Sequence, residues 1–308
     1  MKGYIEQAYN GLTDGWRYLI PALLFFGLMS LNFLVSVLFD INENDLIAQQ
    51  IENDGKNYTF FSLLLPFAIM FGLLLLYVKF AHKLSFKSFT TSRSKIDWSR
   101  FFLIFSITTV FITAMTLGDY FLNREDYIFN FDLEKFLPLA LIAIIMVPIQ
   151  TSFEEYLFRG YFMQGLGILS KNRGIALVLT SIVFGLLHLA NPEVTALGPL
   201  IMISYIGTGF FLGILTLMDE GLELALGFHA ANNLITALLV TANWTAFQTE
   251  SILIYTEKPT LGFDVLIPVF VIYPIILLIL SKIYKWNNWK NRLFGKVEEP
   301  QLQEIKKD

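Results

Sequence analysis

Eight apolar segments dominate this chain and restrict it to the folds that a lipid bilayer permits. Each is long enough, or nearly so, to cross a hydrocarbon core about 30 Å thick at about 1.5 Å of helix per residue. The segments cover residues 18–39, 60–82, 101–121, 136–158, 173–190, 197–218, 222–242 and 262–284. Because only helices and closed barrels satisfy their own backbone polar groups in lipid, this pattern predicts an all-α, polytopic membrane protein with eight transmembrane helices in one bundle.

The composition supports a membrane protein and excludes several other classes. Of the 308 residues, 55% are hydrophobic and only 16% are charged, whereas a soluble domain carries about 25% charged residues. The net charge of −4 is unsuited to binding nucleic acid. The chain has no cysteine, which rules out disulfides, a cysteine nucleophile and thiolate metal ligands. Without an internal repeat or a second domain, residues 1–308 form a single membrane domain with a charged cytoplasmic tail over 285–308.

The lysines and arginines predict the orientation of the helices. Eighteen of the 22, with Arg159 counted among them, fall in connections that eight helices would bring to one side of the membrane. The other four are Lys56, Arg124, Lys135 and Lys258. Since basic connections remain in the cytoplasm, we expect a plasma (inner) membrane protein with both termini cytoplasmic. The first apolar run is too long for a signal-peptide core and is interpreted as a retained helix.

Two adjacent glutamates and an arginine interrupt the fourth apolar segment. An ionisable side chain at the centre of a membrane helix costs about 2.5–3.5 kcal/mol on insertion scales, so such residues usually have a function. On a helix, Glu155 and Arg159 stand four residues apart and can pair. Glu154 points about 100° away on the same helix. It is therefore free for proton chemistry, as a general base.

Two of the three histidines also lie in apolar segments. Phe184 stands four residues before His188, so its ring can pack on the imidazole and limit its rotamers. Asn233 stands four residues after His229 and can fix the orientation of that ring. The third histidine, His82, lies between lysines at a predicted helix end, and we expect it to be a solvated interfacial residue.

These residue types allow two forms of hydrolytic chemistry. Glu154, His188 and His229 are a suitable ligand set for a catalytic divalent metal such as zinc, with water at the open position. The same groups can act without metal, if the carboxylate takes a proton from water while the imidazoles stabilise the oxyanion. The sequence leaves both forms open.

The ordered set of motifs resembles the CPBP family of intramembrane endopeptidases, the CAAX-protease and bacteriocin-processing (Abi) proteins. The family pattern is Glu-Glu-xxx-Arg, Phe-xxx-His and His-xxx-Asn/Asp on successive helices, and it is matched here by Glu154–Arg159, Phe184–His188 and His229–Asn233. The resemblance covers about residues 136–242, a catalytic core. It implies that Glu154 activates the water and that Glu155 and Arg159 organise the site.

The same resemblance implies roles for the remaining site residues. His188 and His229 would bind metal or water and stabilise the oxyanion, Asn233 would assist them, and Phe184 would pack the site. The predicted substrate is a membrane-associated protein or peptide. Two other classes stay open: a transporter or proton-relay protein, in which buried Glu, His and Arg line an ion path, and an inactive bacteriocin-immunity-type membrane protein.

Overall fold

Helices make up most of the protein. The computed structural model describes residues 3–257 and 262–299, so Lys258 and residues 300–308 of the predicted tail lie outside the described residues. A short 3-10 helix spans Ile5–Asn10. The helices that follow it are α1 Gly15–Leu38, α2 Glu43–Asp54, α3 Lys56–Ala81, α4 Phe86–Thr90, α5 Trp98–Leu122, α6 Leu133–Glu155, α7 Met163–Ser170, α8 Arg173–Leu186, α9 Pro192–Leu197, α10 Met202–Asp219, α11 Glu223–Leu239, α12 Tyr273–Ile283 and α13 Trp289–Phe294.

The predicted class, a helical membrane protein, is confirmed. Each of the eight predicted segments contains a helix. Within the described residues, five helical stretches are long and apolar enough to cross a membrane: Gly15–Leu38, Lys56–Ala81, Trp98–Leu122, Leu133–Ser170 and Pro199–Asp219. Shorter apolar helices occupy Arg173–Leu186 and Pro268–Ile283. That all eight segments cross the membrane stays a prediction.

One continuous helix, the central helix, runs from Leu133 to Ser170. It begins where the Asp132 side chain accepts a hydrogen bond from the backbone N–H of Glu134, at 3.0 Å. It includes α6, a wide π-helical turn over Tyr156–Phe162, and α7. The predicted end of this segment at residue 158 is therefore wrong. The helix continues because Arg159 is neutralised inside the protein and apolar residues resume directly after it.

The helices that surround the central helix approach one another closely. α11 packs against both α5 and α6, and α10 packs against α8. A Cβ atom at Gly209 of α10 would collide with the carbonyl oxygen of Ser181 in α8, and one at Gly227 of α11 would collide with the carbonyl oxygen of Phe101 in α5. Small residues at these positions let the backbones come into contact.

Most of the basic connections gather at one end of the bundle, here called the basic end (residues 5–10, 82–97, 171–173, 219–223 and 285–297). Ion pairs tie them together. Arg93 pairs with Asp219 at 2.7 Å and with Glu223 at 3.1 Å, and Arg173 pairs with Glu6 at 2.6 Å. The acidic turn between α10 and α11 thus lies at the basic end because arginines neutralise it.

Two residues assigned to this end by sequence require correction. Arg159 is fully buried inside the bundle, so it does not contribute to the basic surface. His82 is only 2% exposed, with Nδ1 at 2.7 Å from the Leu12 carbonyl oxygen and Nε2 at 3.0 Å from the Tyr161 hydroxyl. The expectation of a solvated His82 is wrong, because the segment before α1 folds back over the end of α3 and covers the ring.

A small sheet at the opposite end was not predicted. Its central strand β3, Leu253–Tyr255, pairs antiparallel with β1, Tyr127–Phe129, and parallel with β2, Val240–Thr241. These strands are two or three residues long, too short for an alternating pattern to be visible in the sequence. Because β2 follows α11 directly, the sheet lies next to the mouth of the cavity described below.

Candidate active site

The centre of the site is an ion pair that the sequence predicts. Arg159 Nη1 donates to Glu155 Oε1 at 3.0 Å, with both side chains fully buried. The predicted pairing is confirmed, and a third residue joins it, because His229 Nδ1 lies 2.8 Å from the same carboxylate oxygen. A carboxylate only accepts hydrogen bonds, so Nδ1 carries a proton and, in the neutral ring, Nε2 is the acceptor.

Two further contacts hold the guanidinium in place. Arg159 Nη2 donates to the backbone carbonyl of Gly209 at 3.0 Å. The Phe184 ring lies under the guanidinium carbon, at 4.1 Å from the ring centroid, in a cation–π contact. Phe184 therefore packs the site, as predicted, and supports Arg159 as well as a histidine.

Glu154 faces a different part of the site from Glu155. Its Oε1 accepts a hydrogen bond from Gln150 Nε2 at 2.6 Å. Its Oε2 lies 3.6 Å from His229 Nε2, and its side chain keeps 15% exposure, whereas Glu155 has none. One glutamate is thus fixed in an ion pair while its neighbour has an oxygen directed towards open space, which is the arrangement that their angular separation on the helix predicts. That Glu154 acts as a base stays a prediction.

His188 lies just beyond α8, in the turn that ends this helix. Nδ1 is 2.9 Å from the Phe184 carbonyl oxygen, which only accepts, so this nitrogen donates and Nε2 is left for other partners. The imidazole packs on the Phe184 ring at 5.1 Å between centroids, as predicted, and stacks on Tyr205 of α10 at 4.5 Å. The orientation of His188 is therefore set by two rings and one backbone carbonyl.

Asn233 connects the histidine and glutamate sides of the site. Its Nδ2 lies 3.4 Å from His229 Nε2, the contact predicted from their spacing, and also 3.4 Å from Gln150 Oε1. Asn232 Nδ2 donates to Asn233 Oδ1 at 3.0 Å. All seven residues singled out from the sequence meet in this one region.

Five of the seven side chains, those of Glu154, Phe184, His188, His229 and Asn233, line a cavity of about 950 Å³. Residues from ten helices and from the sheet end line it, among them Phe25, Met70, Glu154, His188, Tyr205, His229, Asn233, Trp244 and Tyr255. Among the described residues of its wall, three are carboxylates (Asp119, Glu154 and Glu193) and none is a lysine or arginine. The cavity thus combines an apolar body with a few polar groups, as ligand-binding sites do.

Glu193, in the connection between α8 and α10, ties two loops at the mouth of the cavity. Its Oε1 accepts a hydrogen bond from the backbone N–H of Ala246 at 2.9 Å. Its Oε2 is buried and finds no partner within the part of the chain that the structure describes. Burial raises the pKa of Glu193 above its ordinary value, because a desolvated carboxylate favours its neutral form.

Three residues of the site escaped the sequence reasoning: Gln150, Tyr205 and Asn232. Gln150 stands four residues before Glu154 on the central helix, so the spacing rule that found the Glu155–Arg159 pair could have found it. Asn232 adjoins a predicted site residue. Tyr205 comes from another helix, and no signal within the sequence connects it to His188.

The site fits a divalent metal in the type of its donor atoms. A carboxylate oxygen of Glu154 and the Nε2 atoms of His188 and His229 are ligands that zinc accepts, and the other nitrogen of each ring has the second partner that metal-binding histidines usually have. Among the described residues, no three His, Asp or Glu side chains are close enough together to surround an ion.

Comparisons with known proteins agree with these motifs. Residues 133–235 match the family model described as type II CAAX prenyl endopeptidase Rce1-like, a range that contains all seven predicted site residues. The chain is similar to the uncharacterized protein YyaK of Bacillus subtilis (strain 168), with 32% identity over 239 residues, covering 75% of this chain and 80% of that protein. No solved structure matches the chain.

Proposed function

The chain belongs to the CPBP family of intramembrane endopeptidases, the family of the Rce1-like type II CAAX prenyl endopeptidases, and we propose that it hydrolyses a peptide bond of a membrane-associated protein or peptide. The observation that carries the proposal is the arrangement at one cavity wall. There, Glu154 has a free oxygen opposite His229, and the hydrogen bonds around Glu155 fix the orientation of that imidazole.

Glu154 would act as the general base for the attacking water. A water molecule that donates one O–H to Glu154 Oε2 and the other to His229 Nε2, two acceptors 3.6 Å apart, directs an oxygen lone pair into the cavity. As this oxygen attacks the carbonyl carbon of the substrate, Glu154 takes the water proton and the new C–O bond forms. General-base assistance of this kind contributes about 10²- to 10⁴-fold in rate.

The oxyanion that results needs hydrogen-bond donors. We assign Asn233 to this role. One N–H of its Nδ2 is directed at Gln150 Oε1, and the other, whose nitrogen lies 3.4 Å from His229 Nε2, would turn to the oxyanion when the water donates to Nε2. His188, whose Nε2 is uncommitted, would provide the second contact to the water or the oxyanion. When the tetrahedral intermediate collapses, the C–N bond breaks and Glu154 returns its proton to the leaving amine, which restores the carboxylate.

Glu155 and Arg159 would act through His229. Glu155 accepts from Nδ1 and so keeps Nε2 as the nitrogen that faces the water. Arg159 balances the charge of Glu155, which is needed because an unpaired charge in an apolar interior costs several kcal/mol, roughly 3–5 when one partner of a buried pair is removed.

A divalent metal is a further part of the proposal. Glu154, His188 and His229 would hold it, and when bound it would polarise the substrate carbonyl and lower the pKa of its water. The role given above to the Glu155–Arg159 pair follows from the contacts of these residues and applies with or without the ion. With the ion bound, Glu154 would be one of its ligands, so direct transfer of the water proton to Glu154 is the form of the reaction without metal.

The orientation of the protein belongs to the proposal too. With the basic end in the cytoplasm of a plasma-membrane protein, both termini are cytoplasmic, and the sheet end with its cavity mouth faces the other side. A peptide segment would then reach Glu154 from the bilayer or from that face. Trp244 and Tyr255, which line the cavity, suit this interfacial depth, where amphipathic rings prefer to lie.

The experiment that tests this function compares the termini of membrane proteins in three strains that carry the wild-type chain, Glu154→Gln or Glu134→Gln. Glu134 lies on the same helix but is exposed, so its substitution controls for loss of a glutamate. We expect one or more new termini in the wild-type and Glu134→Gln strains that are missing in Glu154→Gln. Identical termini in all three would contradict a protease, and would favour a transporter or an inactive immunity-type protein.

A further inference from the structure

Three side-chain amides form a line of hydrogen bonds that leads from α11 to Glu154. The carboxylate of Glu154 can only accept when it is ionised, so the Gln150 amide must direct its Nε2–H at Oε1, at 2.6 Å. Gln150 Oε1 then accepts from Asn233 Nδ2 at 3.4 Å, and Asn233 Oδ1 accepts from Asn232 Nδ2 at 3.0 Å. The direction of every bond in the line is set by the carboxylate at its end.

We propose that Gln150, which the family motifs do not include, is a positioning residue that fixes Glu154 for the hydrolysis proposed above. Gln150 is only 3% exposed, and both polar atoms of its amide are used within the site. Its bond holds Oε1 of Glu154 away from the cavity, so that Oε2 is the oxygen opposite His229.

The three hydrogen-bonded amides also connect Glu154, the proposed base, to Asn233, the proposed donor to the oxyanion. Asn233 donates towards Gln150 with one N–H and lies beside His229 with the other, at 3.4 Å in each case. Hydrogen bonds in a chain polarise one another in a low dielectric. Gln150 thus connects the central helix to α11, and the relative position of base and oxyanion donor depends on it.

The proposal rests on the proposed function and is tested with Gln150→Leu, which keeps most of the side-chain volume and removes the amide. The matched control is Gln164→Leu. Gln164 lies on the same helix, is 2% exposed and donates to two backbone carbonyls, of Tyr4 and Ser88, at 3.2 and 3.3 Å. Both variants lose buried hydrogen bonds, but only Gln150 contacts Glu154.

Turnover of a cleaved peptide should separate the two variants. In Gln150→Leu we expect kcat to fall about 10- to 100-fold with little change in KM, as when the outer partner of a catalytic ligand is removed. Gln164→Leu should keep the wild-type kcat and KM. Wild-type kcat in folded Gln150→Leu would overturn the proposal.

Infrared difference spectra recorded at one pH provide a readout that does not depend on turnover. The carboxylate band that disappears in Glu154→Gln identifies Glu154, and loss of the N–H donor of Gln150 should shift the frequency of this band in Gln150→Leu, whereas Gln164→Leu should leave it in place. An unshifted band would refute the role of Gln150 even if no peptide is cleaved, so this failure is distinct from failure of the proposed function. If Gln150→Leu does not fold, Gln150→Met takes its place and should shift the band in the same way, because it also lacks the donor.

Discussion

Removing the Arg159 guanidinium should destabilise the protein through the charge it leaves behind. Arg159→Met keeps an apolar stem of similar length but removes the positive charge beside Glu155, whose carboxylate is fully buried. The remaining hydrogen-bond donor to this carboxylate is then His229 Nδ1, at 2.8 Å. Breaking one side of a buried ion pair typically costs about 3–5 kcal/mol. The lost stacking on Phe184 would add roughly 1–2 kcal/mol, while the retained bond from His229 offsets part of the cost. We expect a loss of about 3 kcal/mol in the free energy of unfolding.

A double-mutant cycle tests this reasoning. Unfolding in mixed micelles is measured for wild type, Arg159→Met, Glu155→Gln and the double variant. Because the double variant buries no unpaired charge, it should be more stable than Arg159→Met by at least about 1 kcal/mol, yet inactive since His229 loses its ionised partner. Lys135→Met, which breaks an exposed pair with Asp132 at 3.9 Å, should cost less than about 1 kcal/mol. A double variant less stable than Arg159→Met would refute the reasoning.

Three further predictions concern orientation, pH and metal. Reporter fusions at Lys56 and after Lys290 should locate to opposite sides of the membrane; a shared side would exclude the proposed topology. Since the pKa of Glu193 is raised in the folded protein, its contribution to stability is present at low pH and is lost as pH rises through the folded pKa. The stability of Glu193→Gln relative to wild type should therefore increase as pH rises above about 4, the ordinary range for a glutamate, and through the folded pKa, whereas a constant difference would contradict this. Purified protein should contain about one divalent ion per chain and lose activity to a chelator, with recovery on adding zinc; chelator-resistant turnover with well under one metal per chain would remove the ion from the proposal.

Local spacing predicted the parts of the site that lie on one helix. The Glu155–Arg159 pair, the packing of Phe184 on His188 and the contact of His229 with Asn233 all follow from residues four positions apart. The apolar segments were predictable for a similar reason, since hydropathy depends on neighbouring residues alone. These features agree between sequence and structure because each is determined by residues within a few helical turns of one another.

Contacts between segments that are far apart in the sequence could not be predicted from local spacing. Tyr205 stacks on His188 from another helix, and the bond from His229 to Glu155 joins residues 74 positions apart. His82 is covered by a segment about 70 positions earlier in the chain. The end of the central helix was misplaced because Arg159 resembles a helix-terminal cation, although its partner is buried beside it. For Tyr205, His229 and His82, the residue that makes the contact lies too far along the sequence for helical spacing to identify it.

The measurement that tests the central claim most directly is the turnover of one peptide by purified wild-type, Glu154→Gln and Glu134→Gln proteins in lipid. The peptide is taken from a membrane protein whose new terminus appears in the wild-type strain and is missing in the Glu154→Gln strain. With unfolding behaviour matched across the three, Glu154→Gln should lose at least about 10²-fold in kcat, the contribution expected of a general base, while Glu134→Gln keeps wild-type turnover. Near wild-type turnover in folded Glu154→Gln would contradict the assignment of Glu154 as the base that activates water.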